Sequence, residues 1–249
     1  MILNDDQLDR YARHIILKQV GGAGQKKLLG ARVLVIGAGG LGSPLILYLA
    51  AAGVGTIGVI DDDIVDLSNL QRQIIHTTDQ VGQLKTDSAK EMIKRINPDV
   101  NIITFTERFS EGNAEDIVKG YDILADGCDN FDTRFLVNDV CLKLRIPFVS
   151  AALSQFDGQI STFKGYLSDA PCYRCFIPQH PGNVGNCAEA GILGAVAGVL
   201  GSLQAVEILK ELLDLGDSLT GRLLLYDALN AVTRTIKLPK DPECPICKK

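Results

Sequence analysis

The sequence lacks most of what a nucleic-acid-binding, secreted or membrane protein needs. Basic residues do not outnumber acidic ones: 25 Lys and Arg stand against 30 Asp and Glu, a formal charge of −5. That balance provides no overall basic footprint for nucleic acid or an anionic membrane. No leader is legible, because MILNDDQLDR is acidic and polar where a secretory segment is basic and then apolar. With an odd count of seven cysteines, a reducing, cytoplasmic setting is expected, in which CxxC pairs are metal ligands or catalytic more often than disulfides. Histidine is scarce: His14, His76 and His180 are the three present, none in a recognisable base–nucleophile arrangement. Repeats and low-complexity tracts are absent. Hydrophobic residues at 46% and charged residues at 22% exclude a disordered, collagen-like or mucin-like chain. A chain of 249 residues buries roughly 70–75% of its unfolded surface and needs no disulfide to hold a core.

Residues 33–60 carry no charge and are long enough to span a bilayer. Their glycines argue otherwise. VLVI stops at Gly37, LGSPLILYLAAA stops at Gly53, and TIGVI follows. That order is strand, glycine turn, helix, glycine stop, strand, and a buried βαβ unit is apolar throughout for its own reason.

The remaining pattern predicts an α/β fold. Residues 4–18 form an amphipathic helix capped by Asn4, with Leu8, Tyr11 and Ile15 on one face, ended by GGAG at 21–24. Strand-like runs at 32–36, 56–60, 101–105, 121–125 and 147–151 alternate with helix-like runs at 41–52, 83–96, 113–119 and 131–144. Such alternation implies a Rossmann-like, mostly parallel sheet with helices on both faces. Beyond 151 the character changes. Residues 158–165 alternate like an exposed strand, 191–213 read as a small-residue helix, and 222–238 as two strands around a turn at 228–230. These antiparallel strands extend the sheet without a separating linker.

Three segments carry chemistry. Gly37-Ala38-Gly39-Gly40-Leu41-Gly42 fits G-x-G-x-x-G between strand and helix, where a Cβ would obstruct backbone N–H groups approaching a phosphate. Asp61 ends the next strand, about 20 residues beyond the loop, where a carboxylate accepts ribose hydroxyls. NAD fits the loop as well as any other nucleotide. Arg72 and Lys85, near Asn69, suit a triphosphate better, since two cations neutralise more phosphate oxygens. A bland alternative makes Arg72 a surface ion pair and Lys85 a solvated charge, although a cation at a helix start opposes the helix dipole unless an anion is near. In DGCDN (126–130), Asp129 or Asp126 can hold Mg²⁺ through hard oxygens, while Asp129 or Asn130 can cap the following helix.

Cys172-x-x-Cys175 and Cys244-x-x-Cys247 make a closed tetrahedral set of four thiolates, which is a structural zinc pattern. A redox CxxC is the alternative. Of the other cysteines, Cys141 falls in an apolar helix, Cys128 packs beside the proposed Mg²⁺ site, and Cys187 opens the segment before the long helix, where a helix N-terminus lowers a thiol pKa.

GAGGLGSP, DDDIVDLSNLQRQ, VGQLK, DGCDN, PCYRC, NCAEAG and PECPIC, in this order, resemble the ubiquitin-activating-enzyme-like adenylyltransferases of bacteria, the MoeB/ThiF family of molybdenum-cofactor and thiamine biosynthesis. The resemblance covers essentially the whole chain. It implies a homodimer that binds MgATP and adenylates the C-terminal glycine of a ubiquitin-like sulfur-carrier protein, releasing pyrophosphate. On that basis Gly37, Gly39, Gly40, Gly42 and Asp61 hold the nucleotide. Ser68, Asn69, Leu70, Gln71, Arg72 and Lys85 serve the nucleotide and its phosphates, and Asp129 and Asn130 the magnesium end. Arg13, otherwise a helical partner of Asp9, reaches the other subunit's triphosphate. Cys187 matches a thiol that bonds covalently to the carrier in some relatives, and the carrier's Gly-Gly tail threads beneath the 176–190 loop. Some relatives carry a rhodanese domain after this region. The sequence ends at Lys249, so a separate sulfur donor is expected. The chain then divides as an N-terminal helical arm (1–30), a nucleotide-binding half (31–151) and a carrier-binding and zinc half (152–249) of one adenylation domain. A non-catalytic binding module and an NAD-dependent oxidoreductase are the competing readings. The first leaves Arg13, Arg72, Lys85 and Asp129 without purpose, and the second leaves Arg72, Lys85 and the cysteine pairs unused.

Overall fold

A computed structural model describes residues 3–182 and 191–248. Five parallel strands form the first half of one sheet: β1 (Arg32–Ile36), β2 (Thr56–Ile60), β3 (Asn101–Phe105), β4 (Ile123–Asp126) and β5 (Phe148–Ser154). β6 (Asp157–Phe163), β7 (Arg222–Asp227) and β8 (Val232–Lys237) then add antiparallel, giving the order β3-β2-β1-β4-β5-β6-β7-β8. The order reverses between β1 and β4, both of which run parallel to their neighbours. Ligands of open α/β sheets sit at such a switch point, beyond the carboxyl ends of the strands.

The helices are α1 (Asp5–Arg10), α2 (Ala12–Ile15), α3 (Gly21–Gly30), α4 (Gly42–Ala52), α5 (Lys85–Ile96), α6 (Ala114–Val118), α7 (Phe131–Leu144), α8 (Tyr173–Phe176) and α9 (Gly194–Leu213). Alternate residues of β1 divide between two cores. Val33 and Val35 join Leu45, Leu49, Ile93 and Leu200 from α4, α5 and α9, whereas Leu34 and Ile36 join Val118, Phe135 and Val140 from α6 and α7. Both faces are therefore covered, which is why the parallel strands read as unbroken apolar runs. Residues 33–60 resolve into β1, α4 and β2, and among the described residues no helix is long and apolar enough to cross a membrane.

Three local expectations are corrected. The predicted helix 4–18 breaks at Tyr11. The Asn4 cap holds, as a reciprocal pair with Gln7. Tyr11 turns inward, only 2% exposed, and its hydroxyl accepts from Asn97 Nδ2 at 2.8 Å. GGAG does not end the arm but begins α3, because Leu28 and Gln25 bury against α4 and outweigh glycine's poor helix propensity. The strand expected to be exposed, β6, is mostly buried. Its polar residues misled the pattern: Thr162 Oγ1 donates to Glu207 of α9 at 3.0 Å, so a hydroxyl faces the interior with a partner.

Candidate functional site

A cavity of about 440 Å³ opens at the carboxyl ends of β1, β2 and β4. Gly37, Gly39 and Gly40 form its floor, and Asp61, Arg72, Lys85, Asp129 and Asn130 line it. The loop is tight by necessity. Gly37 has φ +94°, and a Cβ on Gly42 would lie 2.0 Å from the Gly37 carbonyl oxygen, so side chains are excluded at both.

Asp61 braces this loop. Its Oδ2 accepts the Ala38 N–H at 2.7 Å and its Oδ1 the Asp63 N–H at 3.0 Å. Burial pushes the Asp61 carboxyl above its usual value, and the two N–H bonds pull it partly back. Lys85 is the first residue of α5, as its spacing suggested. It is not a solvated charge: its side chain is 7% exposed and Nζ meets Asp63 Oδ2 at 2.6 Å. Burial opposes the Asp63 charge, but the bonds from Lys85 and the Ile64 N–H outweigh it and leave Asp63 below the usual carboxylate range.

The SNLQR stretch divides. Arg72 lines the cavity and donates from Nη1 to Ser68 O at 3.1 Å. Ser68 and Asn69 are engaged with Asp66 in a reciprocal cap of a short 3₁₀ turn, Leu67–Asn69. The cavity walls do not include Ser68, Asn69, Leu70 or Gln71. Gln71 instead abuts the start of α9, where a Cβ on Gly194 would lie 2.1 Å from its carbonyl oxygen.

The DGCDN segment separates its two acids. Asp129 is exposed on the cavity wall, with one long bond from Asn130 Nδ2 at 3.4 Å, so its oxygens remain available to a hard cation. Asn130 caps α7, accepting the Thr133 N–H at 2.9 Å. Asp126 is unsuited to a metal. It is fully buried and taken up by Ser150 Oγ at 2.6 Å, Cys128 N–H at 3.0 Å and Arg134 Nε at 3.3 Å. The Cys128 thiol also bonds Asp126, and burial followed by that charge raises it well above the usual thiol value. Cys141 is buried in the α7 core, where burial raises it likewise.

Three residues on or behind the walls escaped the sequence reading. Arg134 donates from Nη2 to the Cys128 and Ala151 carbonyls and so pins the loop that carries Asp129. Burial works against its charge, but Asp126, Cys128 and Tyr173 together outweigh it and hold the guanidinium above the usual arginine value. A signal existed, since Arg134 is a cation inside the first turn of a largely apolar helix, where it needs a buried partner. Gln73 is buried against Gly39, and its Oε1 has no hydrogen-bond partner among the described residues. Asp63 was overlooked beside Asp61 although both belong to the same acidic run.

Arg13 lies on α2, exposed, away from the cavity of its own chain, and it forms no ion pair with Asp9 among the described residues. Cys187 and residues 183–190 of the 176–190 loop lie outside the described residues.

The four paired cysteines meet. Sγ distances are 3.9 Å for Cys172–Cys175, 3.7 Å for Cys172–Cys244 and 3.4 Å for Cys175–Cys247, and all four lie within 4.8 Å of one another. Four sulfurs about 2.3 Å from a tetrahedral zinc stand ~3.8 Å apart, so the set could hold a zinc ion, and the separations are far too long for disulfides. Burial raises Cys172 well above its usual value and Cys247 up to about 11. Four thiolates there need a cation to hold them ionised. The knuckle is fastened to the sheet through Tyr173, whose N–H donates to Asn138 at 2.7 Å and whose ring meets Phe163 edge-on at 5.4 Å.

Residues 11–246 match the profile of the ThiF family. The chain is 48% identical over 247 residues to the SAMP-activating enzyme E1 of Haloferax volcanii, an alignment covering 98% of this chain and 90% of that one. It is 47% identical over 247 residues to the sulfur carrier protein adenylyltransferase of Thermus thermophilus, covering 97% and 91%. In fold it resembles Escherichia coli MccB, with TM-score 0.85 and 22% identity over 99% of this chain and 74% of that one. By sequence along nearly its whole length, the chain belongs to the ThiF family of adenylating, ATP-using enzymes.

Proposed function

We propose that this chain activates the C-terminal glycine carboxylate of a ubiquitin-like sulfur-carrier protein as an acyl-adenylate, with release of pyrophosphate, and that its pathway is molybdopterin biosynthesis. The thiamine pathway's carrier is the alternative substrate. The observation that carries the reading is convergence: the glycine loop, Asp61, Arg72, Lys85 and Asp129 reach one cavity from segments far apart in the chain. The names of the relatives support the substrate class.

The chemistry suits these groups. A carboxylate is already an anionic nucleophile at neutral pH, so no general base is required. A carboxylate oxygen attacks the α-phosphorus, the bond to the bridging α–β oxygen breaks, and pyrophosphate leaves with that electron pair. Positioning and charge neutralisation dominate such a transfer. Asp61 steadies the loop and meets the ribose, Arg72 and Lys85 face the phosphates, and Gly39 and Gly40 offer backbone N–H groups. The exposed carboxylate of Asp129 fits Mg²⁺, which supplies charge neutralisation at the phosphates. Arg13 serves the partner subunit's site in a homodimer, a reading supported by its exposure and its absence from the walls of its own chain's cavity. Cys187 is kept as a thiol for the carrier. The four cysteines hold a structural zinc, with no position left for water. Sulfur comes from a separate donor.

The test is ATP–pyrophosphate exchange with a panel of small carriers ending in Gly-Gly, one at a time. Exchange with a single carrier, lost when its last glycine is removed, is the expected result and names the pathway. Absence of exchange with every carrier, in folded and zinc-loaded protein, overturns the proposal.

A further inference from the structure

A buried hydrogen-bond chain runs from the back of the glycine loop to the surface of α5. The Ala38 N–H is held by Asp61, and the Ala38 carbonyl oxygen lies 3.0 Å from His76 Nε2. His76 Nδ1 lies 2.7 Å from Ser88 Oγ, which lies 2.6 Å from Gln80 Oε1. Gln80 Nε2 donates to Glu91 Oε2 at 3.0 Å. Ala38, His76, Gln80 and Ser88 are all buried, so each must find its partners within the chain.

The protons in this chain can be counted. The Thr77 N–H, 3.1 Å from Gln80 Oε1, requires an acceptor, so the Gln80 amide has one orientation, with Nε2 toward the Glu91 carboxylate. The Gln80 oxygen is approached by the Thr77 N–H, by Thr77 Oγ1 at 3.0 Å and, at the shortest distance, by Ser88 Oγ at 2.6 Å; an amide oxygen carries no proton, so the Ser88 hydroxyl donates there. The single Ser88 hydroxyl proton is then used, and Ser88 presents a lone pair to His76 Nδ1. The Ala38 carbonyl presents another to Nε2. Both ring nitrogens face acceptors. A neutral imidazole satisfies one of them, and an imidazolium satisfies both.

The free protein opposes that charge. Burial pushes His76 below the usual histidine value and Lys85 adds to the effect, against the bond to Ala38. The other charged groups placed around it are Asp61 across the Ala38 peptide, Asp63 paired to Lys85, Glu91 at the end of the chain, and Arg72 on the cavity wall. The carboxylates of Asp61, Asp63 and Glu91 are each engaged with a donor of the protein, and the cavity is the open place for more negative charge.

We propose that His76 is a positioning residue that takes up one proton from solvent when a polyphosphate anion enters the cavity. The inference rests on the nucleotide reading of that cavity. The Ala38 carbonyl and the Gly39 N–H belong to one peptide group, and Gly39 lines the cavity. A charged donor on the carbonyl polarises that peptide and strengthens its N–H toward phosphate. His76 thereby acts on the nucleotide through the loop, without touching it.

The experiment is titration calorimetry of ATP into the full chain, without carrier, in HEPES and in Tris between pH 7.5 and 8.5. There the terminal phosphate, with a pKa of about 6, is already ionised. Expected is uptake approaching one proton per ATP and a Kd that rises up to about tenfold per pH unit, by linkage. His76→Gln, which keeps a donor for the Ala38 carbonyl, should lose both effects. In the unsubstituted protein the imidazole ¹⁵N resonances of His76 should change from a neutral to a doubly protonated pattern on adding ATP, in a chain with only three histidines to assign. ATP binding without proton uptake, equal uptake in His76→Gln, or a His76 that stays neutral overturns this proposal and leaves the nucleotide site standing. Failure of ATP to bind at all overturns the nucleotide reading and this proposal together.

Discussion

The cysteine cluster and the glycine-floored cavity are built in opposite ways. The cluster gathers four like side chains from two short turns, each of which already brings two sulfurs together before the chain folds. Folding has only to bring the two turns together, the first of them being fastened to α7 and β6 through Tyr173, Asn138 and Phe163. The cavity gathers unlike groups from short segments spread between residues 36 and 197, at the ends of three strands, and those segments meet only once the sheet exists. A closed set of ligands stabilises. An open set of charges, held in place by partners behind it, is available to react.

Four measurements would break or sharpen that contrast. Removing the metal proposed for the cysteines, by chelation or by Cys175→Ser, should have the largest effect on stability, since structural zinc contributes about 10–16 kcal/mol in small zinc-binding peptides. The melting temperature should fall and protease should cut the chain beyond Leu238, while metal analysis should find one zinc per chain before treatment. Arg134→Met should follow. It leaves the fully buried Asp126 without its cation, which costs about 3–5 kcal/mol, read by chemical denaturation. Asp129→Ala belongs to the other class. Its exposed carboxylate holds nothing up, so stability should stay unchanged while pyrophosphate exchange falls by roughly 10²–10³-fold, the usual effect of losing one charge-stabilising group. The smallest effect is the Lys85–Asp63 pair. Asp63 has a folded pKa below its unfolded value, so the unfolded chain takes the proton first. The pair therefore stabilises above about pH 4 and loses that contribution as pH falls through the depressed folded value. With the Asp63 side chain 61% exposed, the difference from Asp63→Asn should be under about 1 kcal/mol and should shrink in denaturation curves as pH falls below about 4.

Legibility in the sequence followed the range of the interaction. The strands β1 to β5 and the helices between them were readable because burial on both faces leaves local apolar runs, and the Asn4 and Asn130 caps because capping is settled within three residues. The start of α3 was not readable, since a run of glycines becomes helical only when Leu28 has a core to enter. Nor was the burial of β6, where Thr162 looks like surface until Glu207 arrives from α9. At the site, Asp61, Arg72, Lys85 and Asp129 could be named from their residue types and order. The commitment of Asp126 to Arg134, of Ser68 and Asn69 to Asp66, and of Lys85 to Asp63 could not, because each is a choice among partners that the chain brings together only on folding.

By itself, the amino-acid order determined the chemistry on offer: a loop without side chains, two cations and several carboxylates, and four thiols in pairs. It also determined that an α/β sheet would carry them, since periodicity and capping act over a few residues. The tertiary structure alone decided which of those groups face the cavity and which are spent holding it. Charges and hydrogen bonds are satisfied by whatever stands within about 3 Å, and only the packed sheet sets those neighbours.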